Sequence, residues 1–122
     1  MLAAFNGGFK GNSGYAACVD GAHVYDTPQP GLGTIVPRSD NSLQTGTWGR
    51  DLTSLRGWAL RQNLPPLIAS GRLAPGVDDW TRWGATLGGV SQVWRSAVGM
   101  THDGQLLIAD PHLGFSWSSH LR

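Results

Sequence analysis

The chain contains no glutamate and a single lysine, Lys10; its eight acidic residues are all aspartate, and eight of its nine basic residues are arginine. Without Glu there is no HExxH zinc-protease helix, no EF-hand loop and no Glu-based glycosidase pair. Losing Glu and most Lys also lowers helix content, since both are strong helix formers and Gly is not. One cysteine, Cys18, excludes an internal disulfide framework and a Cys-rich zinc site. Charged residues make up 14% of the chain, against about 25% in an average domain. A net charge of +1 leaves no electrostatic footprint for nucleic acid or an acidic membrane. No run of about 18 apolar residues occurs, so no helix spans a bilayer, and no basic segment followed by an apolar stretch opens the chain as a signal peptide would.

What is present is glycine, 18 of 122 residues, together with seven Pro, six Trp and a hydrophobic fraction of 40%. That length allows one domain, and that composition still builds a core. Met1 leads directly into LAAF, which reads as the interior of a buried strand, and FSWSSHLR stops where Ser116, Ser118 or Ser119 would cap a helix. Residues 1–122 are therefore expected to be part of a longer domain, cut at both ends.

Short strands punctuated by turns dominate the chain. Leu2 to Phe5 runs into the turn signal Asn6-Gly7-Gly8; Tyr15 to Val19 reads as a second strand, with Asp20-Gly21 turning into His23-Val24-Tyr25. Thr27 to Pro37, carrying Pro28, Pro30, Gly31, Gly33 and Pro37, reads as a loop; Asp40-Asn41 suits a β-turn before a strand over Leu43 to Trp48. Asp51 suits an N-cap for one helical turn with Leu52, Leu55 and Ala59 on one face, ended by the break before Pro65-Pro66. Leu67 to Ala69 reads as a buried strand ending at Ser70-Gly71, and Pro75 to Gly89 as a loop. Val93 to Thr101 and Leu106 to Ala109 form a hairpin closed by Asp103-Gly104 as a two-residue turn. The expected class is α+β: a twisted, mixed β-sheet with few helices.

Few side chains carry a chemical signal. Glycines at Asn6-Gly7-Gly8 leave backbone N–H groups able to cradle an anionic oxygen, with the Asn6 amide beside them, although the same triplet makes an ordinary tight turn. Arg95 shares a strand face with Val93, Ala97 and Gly99, where small neighbours leave room for a phosphate or carboxylate on the guanidinium; an exposed strand Arg has the same pattern. Arg61-Gln62-Asn63, flanked by Trp58-Ala59-Leu60 and Leu64, is a buried polar network, the lining of a cleft, or a polar edge. Asp20 and Asp103 read as turn residues, His102 as exposed beside its turn, and Cys18 as a buried thiol. His112 and His120 have no metal-ligand spacing, and no cofactor motif occurs. The Trp residues suit sugar stacking, but in a small domain Trp is more often core.

Read in order, AAFNGGFK (Ala3 to Lys10), GYAACVDG (Gly14 to Gly21), LPPLIASGRL (Leu64 to Leu73) and WRSAVGMTHDGQLLIA (Trp94 to Ala109) resemble the phosphodiester glycosidase family, that of the lysosomal uncovering enzyme. RQNL (Arg61 to Leu64), WGATLG (Trp83 to Gly88) and VWRS (Val93 to Ser96) are similar to a bacterial branch of it. Lys10 departs from the pattern, standing where many members have a second aromatic residue.

The resemblance implies hydrolysis of a sugar-1-phosphodiester to a sugar and a phosphate monoester. It implies Asn6, Arg95, Arg61 and Asn63 as catalytic residues, and Gly7, Gly8 and Gln62 as substrate-binding ones. The partner would be a sugar-phosphate or glycan, with neither cofactor nor metal. An extracytoplasmic location and a link to exopolysaccharide come with the family. Its later acidic segment has no counterpart before Arg122, which fits the expectation of a fragment. A non-catalytic carbohydrate- or phosphate-binding module, or a structural domain of an exported protein, is the alternative.

Overall fold

The computed structural model describes residues 18–54, 59–83 and 96–109. Five short strands form the main sheet: β1 (Cys18–Asp20), β2 (His23–Asp26), β3 (Gly33–Pro37), β4 (Leu43–Thr47) and β5 (Ala59–Gln62), in the order β2-β1-β5-β3-β4. Two further hairpins follow, β6 (Ile68–Ala69) with β7 (Arg72–Leu73), and β8 (Ala97–Met100) with β9 (Leu106–Ala109), separated by a 3₁₀ turn at Trp80–Trp83. The described residues are thus strand-rich with little helix, as the composition implies. Every strand pairing among them is antiparallel, where a mixed sheet was expected; the one parallel contact is an isolated bridge between Trp48 and Leu52.

Strand residues follow the period of two. In β3, Thr34 and Val36 are buried and Gly33, Ile35 and Pro37 half-buried; in β5, Leu60 and Gln62 are buried and Ala59 and Arg61 half-buried. Register joins these faces, Val19 opposite Leu60 and Thr34 opposite Gln62. The core is the cluster Val19, Val36, Leu52 and Leu60, with Trp48 packed against it. Leu60, at 1% exposure, is its most completely enclosed member. Full burial of a side chain of this size contributes about 1.5–3 kcal/mol.

Two loops share one construction. At residues 38–42 and at 101–105, the first residue's carbonyl accepts from the N–H three positions on (Asn41, Gly104), and its N–H donates to the carbonyl four positions on (Ser42, Gln105). The fourth residue takes positive φ, 65° at Asn41 and 86° at Gly104, which gives the turn-plus-bulge form of a three-residue hairpin. Asp103-Gly104 is therefore not a two-residue turn: His102 belongs to the loop as well. Asp40 and Asp103 occupy equivalent places, and both accept from the residues around them, Asp40 from Ser42 and Asp103 from Thr101 and Gln105.

Three other expectations change. Thr34-Ile35-Val36 outweigh the prolines around them and make β3 a strand between two partners, with Pro37 at its last position, beyond the Thr34 and Ile35 pairings to β5. Ala59, assigned to a helical face, lies in β5. Leu52, on the same assigned face, is bridged to Trp48 beneath a turn that Asp51 closes by accepting the Thr47 N–H at 2.8 Å. Ser54 ends that stretch, and Leu55 lies outside the described residues. Ile68, expected inside a buried strand, is 61% exposed, because β6 and β7 are a two-residue ribbon around Ser70 and Gly71 rather than a strand of the main sheet.

Candidate functional site

β5 is the middle strand of the sheet, and it carries Arg61 and Gln62, with Asn63 just past its end. The alternation sends these neighbours to different fates. Gln62 falls on the core side, 0% exposed, with its amide fully engaged. Its Oε1 accepts the Gln29 N–H at 2.7 Å, and its Nε2 donates to the Gln29 carbonyl at 3.0 Å and to Thr34 Oγ1 at 3.0 Å. Thr34 passes its own hydrogen to the Leu32 carbonyl at 3.1 Å. A buried amide needs partners for its donors and acceptor, and this one has them all. Gln62 thereby ties the loop before β3 to the sheet.

Arg61 stands on the opposite face. The pairings carry one row across all five strands: Asp26 in β2, Cys18 in β1, Arg61 in β5, Ile35 in β3 and Thr45 in β4. Arg61, Ile35, Thr45 and Asp26 are half-buried. Asn63 follows on from Arg61, half-buried, its N–H donating to the Gly33 carbonyl at 3.0 Å and its Oδ1 accepting the Leu64 N–H at 2.9 Å. Gly33 in turn donates to the Leu64 carbonyl at 3.0 Å; a Cβ at this position would lie 3.0 Å from that same oxygen, so the close approach of 63–64 to β3 favours glycine here.

The carboxylates sort by what they already hold. Asp51 accepts from both Nε and Nη2 of Arg50, at 2.8 and 2.7 Å, and from the Thr47 N–H. The Arg50 hydrogen bonds, with the Thr47 N–H next, lower its pKa to about 2. Asp40 is lowered by the Ser42 hydroxyl and N–H, and Asp79 by those of Thr81. A carboxylate stabilised in its charged form by local donors is a poor proton carrier near neutrality. Asp40, Asp51, Asp79 and Asp103 are turn-makers. Asp26 differs: it is half-buried, and the bond its carboxylate accepts comes from the adjacent Thr27 N–H, at 3.1 Å.

Of the residues singled out from sequence, Arg61 and Asn63 are brought together on β5 and its extension, while Gln62 turns inward. Asn6, Gly7, Gly8 and Arg95 lie outside the described residues, as do His112 and His120. His102 is exposed in its loop. Among the described residues no group of three or more His, Cys, Asp or Glu is placed to hold a metal ion, and no helix is long and apolar enough to cross a membrane. Asp26 went unnoticed in the sequence because only strand register puts it in the row of Arg61. Compared with family models, curated proteins and solved structures, the chain matches none.

Proposed function

We propose that the chain is a hydrolase-like domain of the phosphodiester glycosidase kind, cleaving a sugar-1-phosphodiester to a sugar and a phosphate monoester. The observation that carries this is the placement of Arg61: a half-buried guanidinium on the central strand, on the face opposite the core, with Asn63 beside it. Arginine is the side chain best shaped to hold a phosphate through two parallel hydrogen bonds. The leaving group here is itself a phosphate, and donors aimed at its departing charge lower the barrier. In this proposal Arg61 holds the phosphate with Arg95 and the backbone N–H groups of Gly7 and Gly8, Asn6 and Asn63 orient the sugar, and a carboxylate answers the positive charge that develops on the ring.

The ordered likeness of RQNL, WGATLG, VWRS and the NGG turn to the family supports the same reading. The α+β class with a twisted sheet belongs to this proposal, as do an extracytoplasmic location and a role in exopolysaccharide metabolism. Its test is phosphate-monoester release from a panel of GlcNAc-1-phosphodiesters, by the chain and by its Arg61→Ala and Arg95→Ala variants, each first shown to unfold cooperatively. Release that collapses in both variants supports the proposal. Binding of the diesters without release points to the alternative, a carbohydrate- or phosphate-binding module. Neither binding nor release by a folded chain rejects both.

A further inference from the structure

We infer that Asp26 is the general base of this reaction, standing two strands from Arg61 in the same row of the sheet. The inference rests on the glycosidase reading and adds to it the carboxylate that the chemistry needs. The geometry begins with the β1–β2 pairing. Asp20 faces His23 and Val19 faces Val24, so a regular ladder would set Tyr25 opposite Cys18. The ladder slips there, and Cys18 faces Asp26. Such bulges redirect a side chain, and they concentrate beside active sites. The consequence of this one is specific: it moves Asp26 into the row that continues through Cys18 to Arg61. The extra residue, Tyr25, is 70% exposed, its ring 6.2 Å from that of His23.

Two strand spacings separate Arg61 from Asp26, about 10 Å between backbones. Both residues belong to one row of the sheet, with Cys18 between them. In this proposal a sugar-1-phosphate lies along that row, phosphate toward Arg61 and anomeric carbon toward Asp26. In the step that follows, a water oxygen bonds to the anomeric carbon while the carbon–oxygen bond to phosphorus breaks. The bonding pair leaves with the phosphate monoester, and Asp26 takes the water proton, later passing it to solvent. Asp40, Asp51, Asp79 and Asp103 are held in their own turns, and Asp20 and Asp78 are exposed, Asp20 paired with Ala59 outside the row of Arg61.

Asp26→Asn keeps an acceptor for the Thr27 N–H and removes the base. Turnover of a GlcNAc-1-phosphodiester by this variant is expected to fall about 100-fold or more in kcat, the usual contribution of a general base, with KM little changed. Sodium azide added to Asp26→Ala should restore turnover and yield glycosyl azide, since the anion replaces the activated water. Wild-type kcat in Asp26→Asn, or equal losses in both variants without azide rescue, overturns the assignment while leaving the glycosidase reading in place. An unmodified chain that releases no phosphate monoester overturns both.

Discussion

The side chain of Gln62 and the backbone of Gln29 are paired as two strands would be: Oε1 accepts the Gln29 N–H at 2.7 Å and Nε2 donates to the Gln29 carbonyl at 3.0 Å. One buried amide thereby does for the loop before β3 what a further strand would do. Its second donor hydrogen goes to Thr34 on the neighbouring strand, so loop, β3 and β5 are joined at a single side chain. Replacing Gln62 by Met keeps the volume and removes these bonds, leaving the buried Thr34 hydroxyl without its donor. We expect a loss of about 4 kcal/mol, from three net hydrogen-bond contributions of about 1 kcal/mol each and about 1 kcal/mol for the unpaired buried hydroxyl. Urea unfolding measures it. Unchanged stability in Gln62→Met means that the amide holds nothing.

The Asp51 carboxylate gives a pH dependence with a definite sign. Its folded-state pKa of about 2 lies below its ordinary value of 3.8, so the folded chain favours the charged form. The associated stability is present above the ordinary value and is lost as pH falls toward 2. Both partners are well exposed, 52% for the Arg50 side chain and 40% for that of Asp51, so solvent holds the effect below about 1 kcal/mol. The urea midpoint should fall on acidification through this window, and Asp51→Asn should flatten part of the fall. What remains is expected from Asp40 and Asp79, whose pKa values are also lowered. An identical acid limb in Asp51→Asn would remove Asp51 from the account.

Turn chemistry was legible in the sequence because it is local: Asp20-Gly21, Asp40-Asn41, Ser70-Gly71 and Asp103-Gly104 all mark real reversals. The number of loop residues was not, since Asp-Gly fits both a two-residue turn and the last two places of a three-residue one. β3 was hidden by its own flanks: Pro28, Pro30 and Pro37 say loop, and only pairing with both β4 and β5 shows how far Thr34-Ile35-Val36 extend as strand. The same limit applies at the site. Arg61, Gln62 and Asn63 stood out as polar residues in an apolar setting, but which one faces inward depends on register. A network, a cleft and a polar edge are the open alternatives, and the alternation of β5 gives the network to Gln62 and the opposite face to Arg61. Asp26 had no local signal at all, because a bulge sets its place.

The matched loops at 38–42 and 101–105 make a comparison between glycine and asparagine. Both fourth residues take left-handed φ, 65° at Asn41 and 86° at Gly104. A Cβ at Gly104 meets no atom within 4 Å, so any cost of substitution is conformational. Gly104→Ala should therefore lower stability by about 1–2 kcal/mol, the price of αL for an ordinary L-residue. Gly104→Asn should cost clearly less, because asparagine bonds locally and tolerates this region. Thermal unfolding of the two variants checks the order; Ala no worse than Asn would show that backbone strain is not what fixes this loop.

Arg61 separates charge from geometry at the proposed site. A phosphate held by two parallel hydrogen bonds needs the planar fork of arginine, whereas a phosphate attracted only by positive charge is satisfied by lysine. Arg61→Lys keeps the charge and loses the fork. If Arg61 binds as proposed, both Arg61→Lys and Arg61→Ala should weaken binding of GlcNAc-1-phosphate, the alanine variant by about 1.5–3 kcal/mol, or roughly 10–150-fold in Kd. Lysine should recover only part of that loss. Titration calorimetry at two salt concentrations distinguishes the cases, since simple charge attraction between exposed groups is screened by salt more than a partly buried bidentate contact is. Full affinity in Arg61→Lys would reduce Arg61 to a point charge. Full affinity in Arg61→Ala would take the phosphate off β5 altogether, and with it the observation on which the proposed function rests.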